Sequence, residues 1–352
     1  MKALAVILVT YNSRSIIGHC LESIVNQTGD ETEIIVVDND SSDETCSWIR
    51  ENYPKVRVLA QSQNFGYGFA ANLGVRKSRA EVVMVSNPDV RFTEGSIRLL
   101  LDAVESSRDS FVTPKLTLPN GNINACGNTI HTSGIVSCQY FGEPPSRYRN
   151  TFAVPLLSGA VIVATRDVWI KTGGFDPEIF MYMEDAELSL RARLMGMALY
   201  CVADAVVIHD YDLNLSPTKF YWLERHRFWT IYKLFSVPAL IRMIPSLILT
   251  ASATWFFALV KGPRYLGARL GASIWIGSRL WRLRGLRRQL KPIKVRTDFD
   301  ILRDCTTDLP LKQLISSPMS ERLLPHVKRV YEFVRPVRAS IAYGDAQEER
   351  ML

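Results

Sequence analysis

The sequence predicts an α/β protein: a mostly parallel sheet with helices on both faces, followed by a helical, basic carboxyl-terminal extension. Three observations predict it. Apolar runs such as Ala3–Thr10 and Glu33–Asp38 are continuous rather than alternating, the pattern of strands buried on both faces. Strand and helix periods alternate four times within the first hundred residues, which calls for parallel strands joined by helical crossovers. After about residue 215 the pattern turns helical, aromatic and basic.

Element by element, Ala3–Thr10 is the first strand. Its short apolar run lacks a small-residue cleavage site and leads into Thr10-Tyr11-Asn12, so it is not a signal peptide. Ser15–Gln27 carries Ile16, Ile17, Cys20, Leu21, Ile24 and Val25 on one helical face. Glu33–Asp38 is the second strand, and Ser41 or Ser42 caps the next helix, with Asp43 and Glu44 in its first turn. Val56–Ala60 is a third strand, a glycine-rich stretch opens a helix reaching about Ser78, and Glu81–Ser86 is a fourth strand. Residues 110–150 are rich in Gly, Pro, Asn and Ser and predict loops and short strands. Leu156–Thr165 is apolar, 172–177 is a turn, Asp185–Met195 a helix, and Leu199–His209 a strand. Ligands of such a sheet bind outside the carboxyl ends of the strands. The polar strand ends, Thr10-Tyr11-Asn12, Asp38-Asn39-Asp40, Asn64 and Asn87-Pro88-Asp89, therefore gather along one rim.

Several function classes fall away. Six scattered cysteines form no CxxC pair, which excludes a zinc pattern and a small disulfide scaffold. Asn64-Phe65-Gly66-Tyr67-Gly68 lacks GxGxxG spacing, because Ala71 stands at the third glycine, and it follows the wrong strand for a dehydrogenase. Its glycines still allow close backbone approach to a ligand at a helix start, where N–H groups favour anions. In Met183-Glu184-Asp185-Ala186-Glu187, three carboxylates in four residues suit either helix capping or acid–base work. Arg191 stands four residues beyond Glu187, the spacing of a helical ion pair.

Taken in order, VTYN (9–12), VVDNDSSD (36–43), NFGYGFAANLG (64–74), NPDV (87–90), GGFD (173–176), EDAELSLRARLMG (184–196) and His209 closely resemble the motifs of family 2 glycosyltransferases, which have the GT-A fold. The branch most similar contains bacterial rhamnosyltransferases and galactofuranosyltransferases of cell-surface polysaccharide synthesis. The resemblance covers residues 3 to about 235. It implies that Thr10, Tyr11, Asn12, Asp38 and Asn39 hold the base and ribose of a nucleotide-diphospho-sugar, with Asn64, Gly66 and Asn72 extending the pocket. It implies a divalent metal, Mg²⁺ or Mn²⁺, on Asp89, the last acid of the DxD motif, and on His209. Asn87 replaces the first acid of that motif; its uncharged amide oxygen is a poorer ligand, and it is grouped with the donor-binding residues. Asp185 is the implied general base, with Glu184 beside it, and Glu184 or Glu187 raises the Asp185 pKa by like charge. The implied reaction is single displacement with inversion onto a lipid-linked glycan. The competing class is a non-catalytic membrane scaffold that binds nucleotide-sugar or glycan.

Between Glu224 and Asp298 every charge is basic, from Arg225 to Arg296. Met243–Val260 carries no charge and as a helix would span about 27 Å, close to a bilayer core of roughly 30 Å. Trp275 and Trp281 lie among arginines, which suits an anionic membrane surface. Nucleic acid is the poorer partner, because the cations are interleaved with aliphatic stretches. The expected organisation is a catalytic domain over 1–235, a membrane-associated helical segment over 236–297 and a mixed-charge tail over 298–352. The expected location is the cytoplasmic face of a bacterial inner membrane, peripheral or monotopic. Oligomeric state is not encoded in these patterns.

Overall fold

The computed structural model describes residues 3–211, 214–309 and 318–337. The chain forms two compact units: residues 1–128, 138–192 and 197–212 make the first, and 129–137, 193–196 and 213–352 the second.

The strands are β1 (Leu4–Thr10), β2 (Glu33–Asp38), β3 (Arg57–Ala60), β4 (Val82–Ser86), β5 (Val90–Phe92), β6 (Phe111–Thr117), β7 (Ile123–Ala125), β8 (Asn128–Ile130), β9 (Val136–Cys138), β10 (Thr151–Ala153), β11 (Val161–Thr165) and β12 (Leu199–His209). The helices of the first unit are α1 (Ile17–Val25), α2 (Thr45–Asn52), α3 (Tyr67–Lys77), α4 (Ser96–Ser106), α5 (Arg166–Thr172) and α6 (Glu184–Leu194). The main sheet runs β10-β12-β6-β11-β4-β1-β2-β3, with β5 on β12 and β7 on β6. The first four crossover strands, β3-β2-β1-β4, are parallel. The remainder is mixed: β11 is antiparallel to both β4 and β6, and β12 is antiparallel to β10 and β5. Continuous burial identified β11 as an interior strand, but burial on both faces does not encode strand direction. That strand also starts at Val161, five residues later than the apolar run that announces it.

Helices cover both faces. Leu4, Val6 and Leu8 pack with Ile17, Leu21 and Ile24 of α1 and with Leu100 and Val104 of α4. On the other face α3 lies so close to β1 that a Cβ at Gly74 would stand 2.2 Å from Ile7 Cγ2. Neither Ser41 nor Ser42 caps α2, which starts at Thr45 without a side-chain cap. Ser41 bonds to Asp38 and Ser42 to Asn12, so both serines organise the rim.

In β12 the register on β6 shifts between Val202 and Val206. Beyond this irregularity β12 also pairs with β5, placing His209 opposite Val90, and the Asp210 N–H donates to the Asp89 carbonyl at 3.2 Å. A bulge therefore brings two residues 120 positions apart onto one rim.

The second unit is helical: α7 (Pro217–Leu234), α8 (Val237–Lys261), α9 (Pro263–Gly277), α10 (Leu280–Leu290), α11 (Asp298–Arg303) and a helix over Pro318–Phe333. The sequence pattern assigns residues 217–234 to the catalytic domain; in the structure α7 groups with the later helices. Its buried Glu224 accepts from Arg227 and lies 3.2 Å from Arg269 Nε. Arg227 also donates to the Ser133 carbonyl at 2.9 Å, so the β8–β9 hairpin tip belongs to this pack. On α8, Val237, Ile241, Ile244 and Ile248 recur at helical spacing and are exposed, and the apolar exposure continues through Phe256, Leu259 and Val260.

Candidate active site

The first cluster lies at the carboxyl ends of β1 and β2. Thr10 Oγ1 donates to Asp38 Oδ1 at 2.7 Å, and Ser41 donates to both Asp38 oxygens, through Oγ at 2.5 Å and N at 2.9 Å. The buried Asp38 carboxylate is thus fixed by three bonds. Asn12, at φ +50°, accepts the Ser42 N–H at 2.8 Å and donates its own N–H to Ser41 Oγ at 2.8 Å. Asn39 Nδ2 donates to the Gly66 carbonyl at 3.2 Å, while its buried Oδ1 has no hydrogen-bond partner. Asn64 Oδ1 caps the Gly66 N–H at 2.9 Å. Tyr11 presents an exposed ring beside them. Thr10, Tyr11, Asn12, Asp38, Asn39, Asn64 and Gly66 are therefore set at the strand-end rim and the start of α3.

Two residues expected at this rim also hold the chain itself. Asn72 clamps the 172–175 turn through both atoms of its amide. Its Nδ2 donates to the Phe175 carbonyl at 2.8 Å and its Oδ1 accepts the Phe175 N–H at 2.9 Å. The glycines at the start of α3 admit close approach of the chain itself. A Cβ at Gly66, where φ is +91°, would stand 2.5 Å from the Phe180 carbonyl oxygen, which accepts the Tyr67 N–H. One at Gly68 would stand 2.8 Å from Phe175 Cβ.

The second cluster is Asp89 with His209. His209 is buried, and its Nδ1 lies 2.9 Å from Asn124 Oδ1. A carboxamide oxygen only accepts, so Nδ1 carries the proton and Nε2 presents its lone pair. Nε2 stands 3.5 Å from Asp89 Oδ1, a buried oxygen with no hydrogen-bond partner. Asn87 sits two residues earlier, its N–H on the Ala160 carbonyl at 2.9 Å. An imidazole oriented by a second residue and facing an unsatisfied carboxylate oxygen fits half of a divalent-metal site. Mg²⁺ characteristically binds through one or two protein groups together with substrate phosphates. No cluster of three or more His, Cys, Asp or Glu suited to a metal occurs among the described residues.

The third cluster opens α6. Asp185 Oδ2 accepts from Gly159 N at 2.9 Å and Asn128 Nδ2 at 3.2 Å, and Oδ1 accepts from Ala186 N at 2.7 Å. Burial pushes its pKa up against these three bonds, each of which favours the ionised form. Burial, followed by the charge of Asp185, pushes Glu184 up to about 8. Its buried Oε2 has no hydrogen-bond partner. The two carboxyls are thus both held above their ordinary range, chiefly by burial. Glu187 pairs with Arg191 at 2.7 Å, in the i,i+4 relation the sequence indicates. Arg191 also donates to the carbonyls of Thr172 and Gly174, tying the 172–175 turn to α6. Tyr182 and Met183, just before Glu184, hold φ of +62° and +72°, values rare for residues with side chains.

Tyr67, which the sequence does not single out, links these clusters. Its hydroxyl donates to the Gly159 carbonyl at 3.3 Å, next to the N–H that binds Asp185. Burial first, then the charges of Glu184, Asp89 and Asp185, raise its pKa well above the phenolic range. Asn124 and Asn128 were missed as well. Both lie in the aperiodic 110–150 stretch, and their only signal is polarity between short apolar pairs.

The Glu184 shift has a testable sign. Between its ordinary value of 4.5 and about 8 the folded protein keeps a proton that the unfolded chain has released, so stability falls as pH rises through that window. Glu184→Gln holds the side chain neutral. In chelator, its thermal unfolding should match the wild type near pH 5 and exceed it near pH 8.5, by on the order of a few kcal/mol. A difference independent of pH would remove the assigned protonation state.

Comparison with known proteins follows the same lines. The model of glycosyl transferase family 2 matches residues 5–161. The chain is 31% identical over 231 residues to an N-acetylglucosaminyl-diphospho-decaprenol L-rhamnosyltransferase of Mycobacterium tuberculosis, covering 58% of this chain and 75% of that one. It is 26% identical over 246 residues to the low-salt glycan biosynthesis hexosyltransferase Agl10 of Haloferax volcanii, covering 66% and 76%. Among solved structures, GalNAc-T7 with UDP, GalNAc and Mn²⁺ has a TM-score of 0.56 at 15% identity, covering 78% of this chain and 55% of that one, a likeness of fold.

Proposed function

Because this chain belongs to glycosyl transferase family 2, we propose that it moves L-rhamnose, or a related deoxysugar or hexose, from a nucleotide-diphospho-sugar to a lipid-linked glycan, with inversion at the anomeric carbon. The sugar and the lipid-linked acceptor are suggested by the name of the mycobacterial relative, whose substrate is a diphospho-decaprenol. The observation that carries the reading is geometric: at the rim of donor-type polar residues, His209 Nε2 stands 3.5 Å from an unpartnered Asp89 oxygen, and the nearby Asp185 carboxylate is held by Gly159 and Asn128.

In this mechanism Tyr11, Asn12, Asp38 and Asn39 hold the nucleoside at the ends of β1 and β2. Asp89 and His209 would hold Mg²⁺ or Mn²⁺, which when bound would supply Lewis-acid stabilisation of the charge developing on the leaving diphosphate. Asp185 accepts the proton of the acceptor hydroxyl as that oxygen attacks the anomeric carbon from the face opposite the leaving group, so one displacement inverts the centre. Glu184, protonated near neutral pH, adds no second negative charge beside the base.

The acceptor reading implies a membrane-associated enzyme at the cytoplasmic face. In support, α8 is the one helix among the described residues long and apolar enough to cross a bilayer, with a mean hydropathy of 1.8 over its best window. Its exposed apolar stripe and the surrounding arginines suit a helix that lies in the interface.

The test is transfer of labelled sugar from a panel of nucleotide-sugars to a synthetic polyprenyl-diphosphate glycan, with product configuration read by NMR. One donor should be used in preference, giving the inverted anomer. Binding of a nucleotide-sugar with neither transfer nor hydrolysis would leave a scaffold, and retention would remove the single-displacement mechanism.

A further inference from the structure

The strongest unassigned feature is a cavity of about 520 Å³ in the second unit, at the junction of α7, α8 and α10. Its lining includes Lys233, Arg287, Lys291, Lys294 and Arg296 against one carboxylate, Asp298. That carboxylate is already engaged: it accepts the Ser236 N–H at 2.7 Å through Oδ2 and lies 2.6 Å from Lys294 Nζ through Oδ1. Arg287, also on this lining, donates Nε to the Tyr232 carbonyl at 2.5 Å. The amino terminus of α8 opens on the cavity at Ser236 and Val237, adding the positive end of a long helix dipole. Lys291 and Arg296 stand exposed on this lining, so an anion seated in the cavity would meet several cations at once.

We propose that this cavity binds the phosphate of an anionic lipid headgroup. The ligand chemistry is a phosphate group; what selects a lipid over free phosphate is the surface at the cavity mouth. Val237, Ile293 and Val295 beside it are exposed, and the exposed stripe of α8 begins at Val237 and continues through Ile241, Ile244 and Ile248. A headgroup in the cavity would leave its acyl chains along that stripe. The inference rests on the membrane association proposed above and adds a defined headgroup site to it.

The test uses the full chain, with Lys291→Ala/Arg296→Ala as the site variant and Arg284→Ala/Arg288→Ala as a control that removes equal charge from exposed positions of α10. Co-sedimentation is measured with vesicles of phosphatidylcholine alone and with added phosphatidylglycerol. Two cations removed from a diffuse basic surface cost roughly 25-fold on anionic vesicles, so the control should lose no more than that, and the site variant should lose more because its cations also bond the phosphate directly. It should bind neutral vesicles as the wild type does, and the control should lose clearly less. Retained nucleotide-sugar hydrolysis checks that the variants are folded. Equal losses in both variants would reduce the site to a diffuse basic surface and overturn the proposal. So would saturable binding of inorganic phosphate without vesicles, abolished in the site variant, because the source would then be free phosphate. Failure of the wild type to bind any vesicle would overturn the membrane reading along with this one, whereas unchanged anionic binding by the site variant would overturn this inference alone.

Discussion

Asp185→Asn should lower kcat by about 100-fold or more while the affinity for the donor nucleotide stays within a few-fold. A positioned base contributes roughly 10²–10⁴-fold, and its loss acts on the chemical step rather than on ground-state binding. Both Asp185 oxygens already accept hydrogen bonds from Gly159, Asn128 and Ala186, so an amide would also set an N–H against one of these donors. Donor affinity, measured separately, distinguishes lost proton acceptance from a collapsed pocket. The wild-type rate should fall on the acid side, since an Asp185 held up by burial must be ionised to act. Near wild-type turnover in the variant would remove the base from Asp185. Glu187 is not a candidate, because Arg191 holds it in a buried ion pair.

Chelation should abolish transfer, and Mg²⁺ or Mn²⁺ should restore it. Asp89→Ala should lose metal-dependent nucleotide binding with little change in Tm. Its side chain is only partly buried, and the packing at that turn is carried by Val90 and Phe92. His209→Ala should lose the same binding but also stability, since it removes a buried ring and leaves Asn124 unpaired. Full activity in excess chelator would recast Asp89 and His209 as a structural pair joining β5 to β12.

The rim was legible because continuous apolar runs end abruptly in polar residues at Thr10, Asp38 and Ser86, and a doubly covered sheet leaves those ends as the open edge. His209 was legible as a strand end. Its adjacency to Asp89 was not, because it depends on an irregularity in β12 and on an antiparallel pairing that burial patterns do not encode. Asn124 and Asn128 act through side-chain orientation within short strands, where three residues give no period to read. Glu184 and Asp185 were legible as a pair, but their unequal environments were not, since hydrogen bonds from Gly159 and Asn128 arrive from segments distant in sequence. The glycines at the start of α3 are ambiguous for a related reason. Sequence shows that something approaches a glycine closely, and here that something is the loop at Phe175 and Phe180.

The turn at Gly174 carries a consequence for mutational genetics. Asn72 clamps its backbone from α3, Arg191 holds the same turn from α6, and a Cβ at Gly174 would stand 2.2 Å from Asn72 Oδ1. A loss-of-function screen would score all three positions as null alleles clustered beside the active rim, indistinguishable from Asp185 or Asp89. Their inactivity would come from a joint between two helices that has come apart, so each would appear as lowered abundance and lowered Tm. Intragenic suppressors would then map to general stabilising changes, which rescue a loosened joint and do nothing for a missing base.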